Sequence, residues 1–437
     1  MRRLTRKLVG VAFMTFAMLT AATTVMAKDG VWSGNGSIEK PYLIEDEADL
    51  KLLSQNLADT ISDYDGMYFT LTNDIDITTT PWVPIGSNSN KFRGIFDGNN
   101  KCVSNVNVNL TRYSGFFAYN DGTIKNLTVK GTVGGRYYIG LVAGYNIGTI
   151  ENVSAIGTVE GTSYNGVITG YNKGVVRNAT ASGSVTGKQG FIGGITGYNN
   201  GGTMENCYNE SSVTGSGRIG GIAGGNVTSA TIKNCYNSGT VATGENVDSF
   251  DNTHNSIGGI VGYNYNIANV YDCTNTGSVS STVDSTGGVI GYGYNSIIQG
   301  CNNTGNVSTT GDNCAAILAE GSICKVRSCY YAKGTAEAGM NGENDNYEAY
   351  EAILADSVGV DQHTNGLATG FYVAAETDGN PVSLKWIVVS PKEMKTEVHE
   401  YQAEEYDEAE SGAKFGLIVN NLTSDDSVAL CSVSKVS

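Results

Sequence analysis

The residues able to do chemistry are few and scattered. There are three histidines, His254, His363 and His399, in 437 residues. His399-Glu400 opens like the zinc-peptidase pattern His-Glu-x-x-His, but position 403 is Ala, so the second ligand is missing. No Gly-x-Ser-x-Gly elbow exists to expose a nucleophilic serine. Glycoside cleavage needs two carboxylates held across one bond. The candidates Asp272, Asp284 and Asp312 are read as falling at different positions of their repeats, and Asp74 and Asp76 as surface or turn residues alternating along one strand. The nine cysteines form no Cys-x-x-Cys pair and have no histidine among them, which argues against a metal centre. Phosphate-loop and dinucleotide fingerprints are absent too. No catalytic residue, metal or cofactor is therefore assigned.

The placement of the cysteines shows what organises the chain. Cys207, Cys235, Cys273, Cys301 and Cys329 continue a column that begins Leu127, Val153, Ala179, with steps of 26, 26, 28, 28, 38, 28 and 28 residues. A period in this range marks a repeat architecture. Three further apolar columns run beside it: Phe116, Val142, Ile168 to Ile317; Ile124, Ile150, Val176 to Val326; and Val133, Val159, Val185 to Val307. The segments between them are short, β-branched and punctuated by Gly, Asn and Ser, which is strand and turn rather than helix. One turn of short strands has no core alone and gains one only by stacking on the next. The expected fold is all-β: a right-handed parallel β-solenoid, its hand following the general preference of parallel crossovers.

Within each repeat a Gly-Tyr-Asn corner recurs. Gly144, Gly170, Gly197, Gly224, Gly262 and Gly291 suit a positive φ or a close approach of backbones. Asn146, Asn172, Asn199, Asn226 and Asn264 suit the corner itself, with an amide free to bond the neighbouring turn. Tyr119, Tyr145, Tyr171, Tyr198, Tyr263 and Tyr292 form an aromatic column open to two readings, structural stacking or a sugar-binding stripe. The cysteine column reads as small buried hydrophobes stacked as thiols, because parallel stacking holds the Cβ atoms farther apart than a relaxed disulfide allows. Residues 46–58 predict an amphipathic helix with Leu50, Leu53 and Leu57 on one face and an acidic first turn, placed to cap the open end.

These Gly-Gly-Ile-Val-Gly-Tyr-Asn units, as at 258–264, resemble the GLUG repeat of secreted and surface proteins of bacteria, including the stalks of immunoglobulin A-cleaving metallopeptidases. The run-in is similar as well, from Pro41-Tyr42-Leu43-Ile44 through Trp82-Val83-Pro84-Ile85-Gly86 to Phe96-Asp97-Gly98-Asn99. The resemblance covers residues 30–335 and implies a solenoid on a bacterial surface or in the medium. It carries over no peptidase activity, because the His-Glu-x-x-His motif is incomplete.

The domains expected are a signal peptide at 1–27, an N-terminal cap with first rungs at 28–110, solenoid repeats at 111–335, a polar linker at 336–365 and an acidic β-sandwich-like domain at 366–437. Arg2, Arg3, Arg6 and Lys7, an apolar run and Val25-Met26-Ala27 make the secretory signal, with cleavage after Ala27. That apolar run is too short for a membrane span, so a secreted or cell-surface protein without membrane insertion is expected. The net charge of −16 is unevenly spread. Residues 111–335 carry 12 acids and 12 bases, while 336–437 carry 19 acids and 5 bases. Nucleic-acid binding, which needs basic patches, is disfavoured. The expected function is non-catalytic adhesion or display toward a host protein or glycan; the alternative is a polysaccharide lyase or glycoside hydrolase acting along a groove. The long step between Cys235 and Cys273 places an insertion at 243–255, and Asp248, Phe250, Asp251 and His254 are its candidate ligand-binding residues.

Overall fold

The computed structural model describes residues 32–59, 64–244 and 255–332, short pieces between 334 and 340, and the backbone of six further strands between 347 and 435. The signal segment 1–27, the linker stretch 341–346 and the insertion at 245–254 lie outside the described residues.

The sequence reading of a parallel β-solenoid holds. One interior column runs in register from Tyr42 through Phe69, Phe96, Ile124, Ile150, Val176, Met204, Ile232, Val270 and Ile298 to Val326, every pairing parallel. That makes about 10 turns, a rod of about 45 Å at the spacing of paired strands. A second column, Val133, Val159, Val185, Val213, Val241, Val279 and Val307, stacks in the same way. All but the last of these valines are wholly buried. The chain begins the stack with β1 (Tyr42–Ile44), then runs into α1 (Glu47–Ala58) and on to β2 (Tyr68–Leu71), β3 (Ile75–Asp76) and the long β4 (Ile95–Ser114). Two sheets wrap the core. The larger has 26 strands; the smaller has eight, from Phe117–Asn120 at one end to Leu318–Ser322 at the other.

The helix forms because Asp46 caps it, its carboxylate accepting from the backbone N–H groups of Ala48 and Asp49. It stays because Leu50, Leu53 and Leu57 are wholly buried. The indole of Trp32 donates to the carbonyl of Asp49, and the Ser54 hydroxyl donates to Val83 and Pro84. The Glu47 carboxylate is partly buried, which alone would raise its pKa. Hydrogen bonds from the Thr78 hydroxyl and Thr79 N–H outweigh this and hold it at about 2. Asp74 and Asp76 take the structural part expected of them. Asp74 accepts from the N–H of Cys102, and Asp76 from Ser104 and Asn105 on the next turn.

Parallel pairing continues past the repeats, where Tyr347–Ala352 adds to Lys325–Ala332. Beyond it the backbone forms two antiparallel sheets. One pairs Ala368–Ala374 with Lys414–Asn420, and the other sets Val382–Ser390 between Lys395–Gln402 and Ser427–Lys435. No helix among the described residues is long and apolar enough to cross a membrane.

The cysteine column is buried and free of disulfides: Cys207, Cys235, Cys273, Cys301 and Cys329 are each at most 1% exposed. Their thiols lie against backbone carbonyls two residues back, such as Cys273 Sγ on the Tyr271 oxygen at 3.1 Å. Burial pushes the Cys273 and Cys329 thiols up, away from the reactive thiolate. Because all five are shut away from solvent, native protein is expected to leave these thiols unreacted toward a thiol reagent. Unfolding without reductant should release at least five; finding four disulfides instead would contradict the packing.

Candidate functional site

Most of the distinctive polar residues are consumed inside the rod. Asn120, Asn146, Asn172, Asn199, Asn226 and Asn264 are wholly buried. Each side-chain amide donates to the Oδ1 of the next at 2.7–2.8 Å. The other amide hydrogen goes to a carbonyl near the same corner, as from Asn172 to Gly174 at 3.2 Å. A second buried ladder joins Asn209, Asn237, Asn275 and Asn303. A third, at the surface, joins Asn126, Asn152, Asn178, Asn206 and Asn234, all at φ of 51–53°. Asn tolerates this left-handed backbone better than other side chains. The last two ladders escaped the sequence reading. The glycines ahead of Tyr serve close approach rather than positive φ: a Cβ on Gly170 would strike the backbone of Tyr138 and Ile139.

The tyrosine column stacks. Ring centroids of Tyr119, Tyr145 and Tyr171 lie 4.5 and 4.4 Å apart and within 18° of parallel. A second column beside it, Tyr113, Tyr138, Tyr164 and Phe191, stacks at 5.1–5.7 Å and meets the first edge-to-face. Where Gly225 replaces the first column's tyrosine, the Arg218 guanidinium sits 5.1 Å from Phe191 and 4.8 Å from Tyr263. Rings stacked in this way cover one another's faces and present edges outward, whereas a sugar stacks on a face. The geometry thus favours the structural reading of the column. Burial, then the neighbouring tyrosines, pushes Tyr198 up to about 12; burial does the same to Tyr263, against the pull of Arg218. A phenol whose folded pKa exceeds its unfolded value of about 10 stabilises the fold below pH 10, and that contribution is lost as pH rises toward 12. Tyrosinate absorbance should therefore rise late and together with unfolding above pH 10. Ionisation of all tyrosines at their ordinary value in folded protein would contradict this.

One corner of the rod is open. A groove of about 500 Å³ crosses four turns, lined by Asn109, Thr111, Arg136, Glu160, Thr186 and Lys188 among others. Gly135 and Gly161 line it with backbone alone; a Cβ on Gly161 would meet the buried Ile139 and Asn165 rather than enter the groove. Beside it, Arg112 and Arg136 each lie over the ring of Tyr137, at 5.4 and 5.1 Å from its centroid. The groove thus gathers cations, one carboxylate, hydroxyls and an amide. A second groove of about 340 Å³ is lined by Val307, Ser308, Thr309, Gly311, Asp312, Cys314 and Ala338.

The candidate binding residues Asp248, Phe250, Asp251 and His254 lie outside the described residues, as does His363; His399 falls on a strand whose backbone alone is described. The carboxylates need a correction. Asp272 stands alone, at φ 51° in the surface asparagine column, and burial raises its pKa. Asp284 and Asp312, however, occupy the same position in successive turns, because Ser285 pairs with Asn313. The N–H of Asp312 points to Asp284 Oδ1 at 3.4 Å.

In-register turns with buried amide ladders and a groove at one corner define a parallel β-solenoid of repeated units. Three segments match the GLUG motif, at residues 135–160, 215–242 and 253–280, so the chain carries GLUG repeats. Among curated proteins it is similar to a “Putative Gly-rich membrane protein” of Evansella cellulosilytica, 34% identical over 110 residues, 22% of this chain and 12% of that protein. It is also similar to “Halomucin” of Haloquadratum walsbyi, 33% identical over 139 residues, 28% of this chain and 2% of that one. The chain thus spans only a small part of the length of either relative. A crystal structure of a “putative immunoglobulin A1 protease” from Bacteroides ovatus aligns with 73% of this chain and 84% of that one, at 20% identity and a TM-score of 0.41.

Proposed function

We propose that the protein is an exported, non-catalytic β-solenoid of the bacterial surface or medium, its rod displaying a loop and a grooved corner for adhesion to a host protein or glycan. One observation carries the reading: the buried asparagine ladders satisfy one another from turn to turn, while the groove of about 500 Å³ gathers binding-type side chains and a single carboxylate. The matched segments of a protein named as membrane-borne and of a halomucin support a place at the cell exterior. The insertion carrying Asp248, Phe250, Asp251 and His254 is a second element of display, since a loop leaving a regular rod is where specificity is readily carried.

A polysaccharide lyase or hydrolase is the second reading, and the stacked Asp284 and Asp312 beside the smaller groove are what favours it. An array of glycans and host proteins separates the two. The purified protein is expected to retain at least one ligand intact, to lose affinity on deletion of 245–255 or on substitution in the large groove, and to be indifferent to Asp312→Asn. Turnover of any polysaccharide that Asp312→Asn abolishes would reverse the assignment.

A further inference from the structure

The large groove is more specific than a generic polar surface. Two guanidiniums, from neighbouring turns, share the Tyr137 ring, and Lys188 lies across the groove from Arg136 on its lining. Three other cations on the rod are neutralised by a neighbouring turn: Arg93 by Asp121 at 3.1 Å, Lys125 by Asp97 at 3.5 Å and Arg177 by Glu151 at 2.7 Å. Among the described residues no such ion pair holds Arg112, Arg136 or Lys188, and the groove's one carboxylate is Glu160. Cations gathered at one corner without ion-pair partners favour an anion there. Stacking on an aromatic ring leaves the N–H fork of a guanidinium free, and that fork matches a carboxylate or sulfate through paired hydrogen bonds. Asn109, Thr111, Thr162 and Thr186 complete the lining with amide and hydroxyl groups suited to sugar hydroxyls.

Resting on the display reading above, we infer that the Arg112–Tyr137–Arg136 corner and its groove bind an acidic saccharide, one bearing a carboxylate or sulfate on the sugar ring. The lining is too polar for a peptide anchored by apolar side chains. The acidic group engages the guanidinium forks of Arg112 and Arg136, and the neighbouring sugar units run along the groove toward Lys188.

The test measures binding by calorimetry on the purified protein with four probes: oligogalacturonate, a heparin-derived oligosaccharide, a neutral cello-oligosaccharide and an oligoglutamate peptide. One or both acidic saccharides are expected to bind, their relative affinities telling carboxylate from sulfate, with the neutral sugar and the peptide at least about tenfold weaker. Arg112→Gln with Arg136→Gln should weaken the acidic saccharide about tenfold or more without changing the melting temperature. Tyr137→Ser, which copies the Ser163 found at that position one turn on, should weaken it several-fold. Lys233→Gln, elsewhere on the surface, should change nothing. Unaltered binding by the double variant, equal binding of oligoglutamate, or no acidic saccharide bound by the native protein would each overturn the assignment. A host protein retained equally by the native and double-variant chains would overturn this site while leaving the display reading intact.

Discussion

Replacing Asn172 with alanine should destabilise the rod by about 3 kcal/mol, although it removes only one small side chain. Asn172 is wholly buried. It accepts from Asn146 and donates to Asn199 and Gly174, so its loss strands polar groups on three turns out of reach of water. Each buried group left without a partner costs about 1–3 kcal/mol. The comparison that isolates the effect is Asn178→Gly in the surface ladder, which keeps the left-handed backbone and leaves its neighbours to water. That change should cost less than about 1 kcal/mol, near the ordinary net value of one hydrogen bond. Denaturant unfolding of both variants measures the difference. Equal losses would mean that the buried amides are not what binds turn to turn.

Gly183→Ala should be at least as damaging. Gly183 has φ +114°, which side-chain-bearing residues rarely adopt, and a Cβ there would collide with the carbonyl oxygen of Gly157 on the previous turn. Backbone against backbone cannot be relieved by a rotamer change, so the turns must separate. Strain of this kind costs about 1–3 kcal/mol in itself, and lost pairing along Val175–Gly187 adds to it. Hydrogen exchange should show protection falling in that strand and in its neighbour Thr149–Gly166. Gly201→Ala is the control: its φ of +71° is also left-handed, but the nearest atom to a new Cβ is 3.5 Å away. Its cost should stay near the 1–2 kcal/mol of a left-handed alanine.

What the sequence revealed follows from the repeat. An inward position must be apolar or self-satisfying on every turn, so the valine and cysteine columns and the Asn146–Asn264 ladder stand out as periodic. The asparagines directly ahead of the cysteine column, Asn126, Asn152, Asn178, Asn206 and Asn234, carry the same periodic signal, which the sequence reading missed. Asp284 and Asp312 were misplaced although their 28-residue separation matches the local repeat step. At the grooved corner only the glycines at 135, 161 and 187 recur. Arg112 pairs with Tyr137, not with Arg136, so the two arginines share no column and meet only because their side chains turn toward one ring. The second aromatic column was hidden similarly, by Phe191 and Arg218 standing where earlier turns have tyrosine.

Exposing the purified protein to a panel of acidic polysaccharides, and analysing both the retained ligand and the supernatant by mass, tests the central claim of display without turnover. Saturable binding with the polysaccharide recovered at full length is the expected result. Shortened or unsaturated sugar products, formed by the native protein and not by Asp312→Asn, would contradict it.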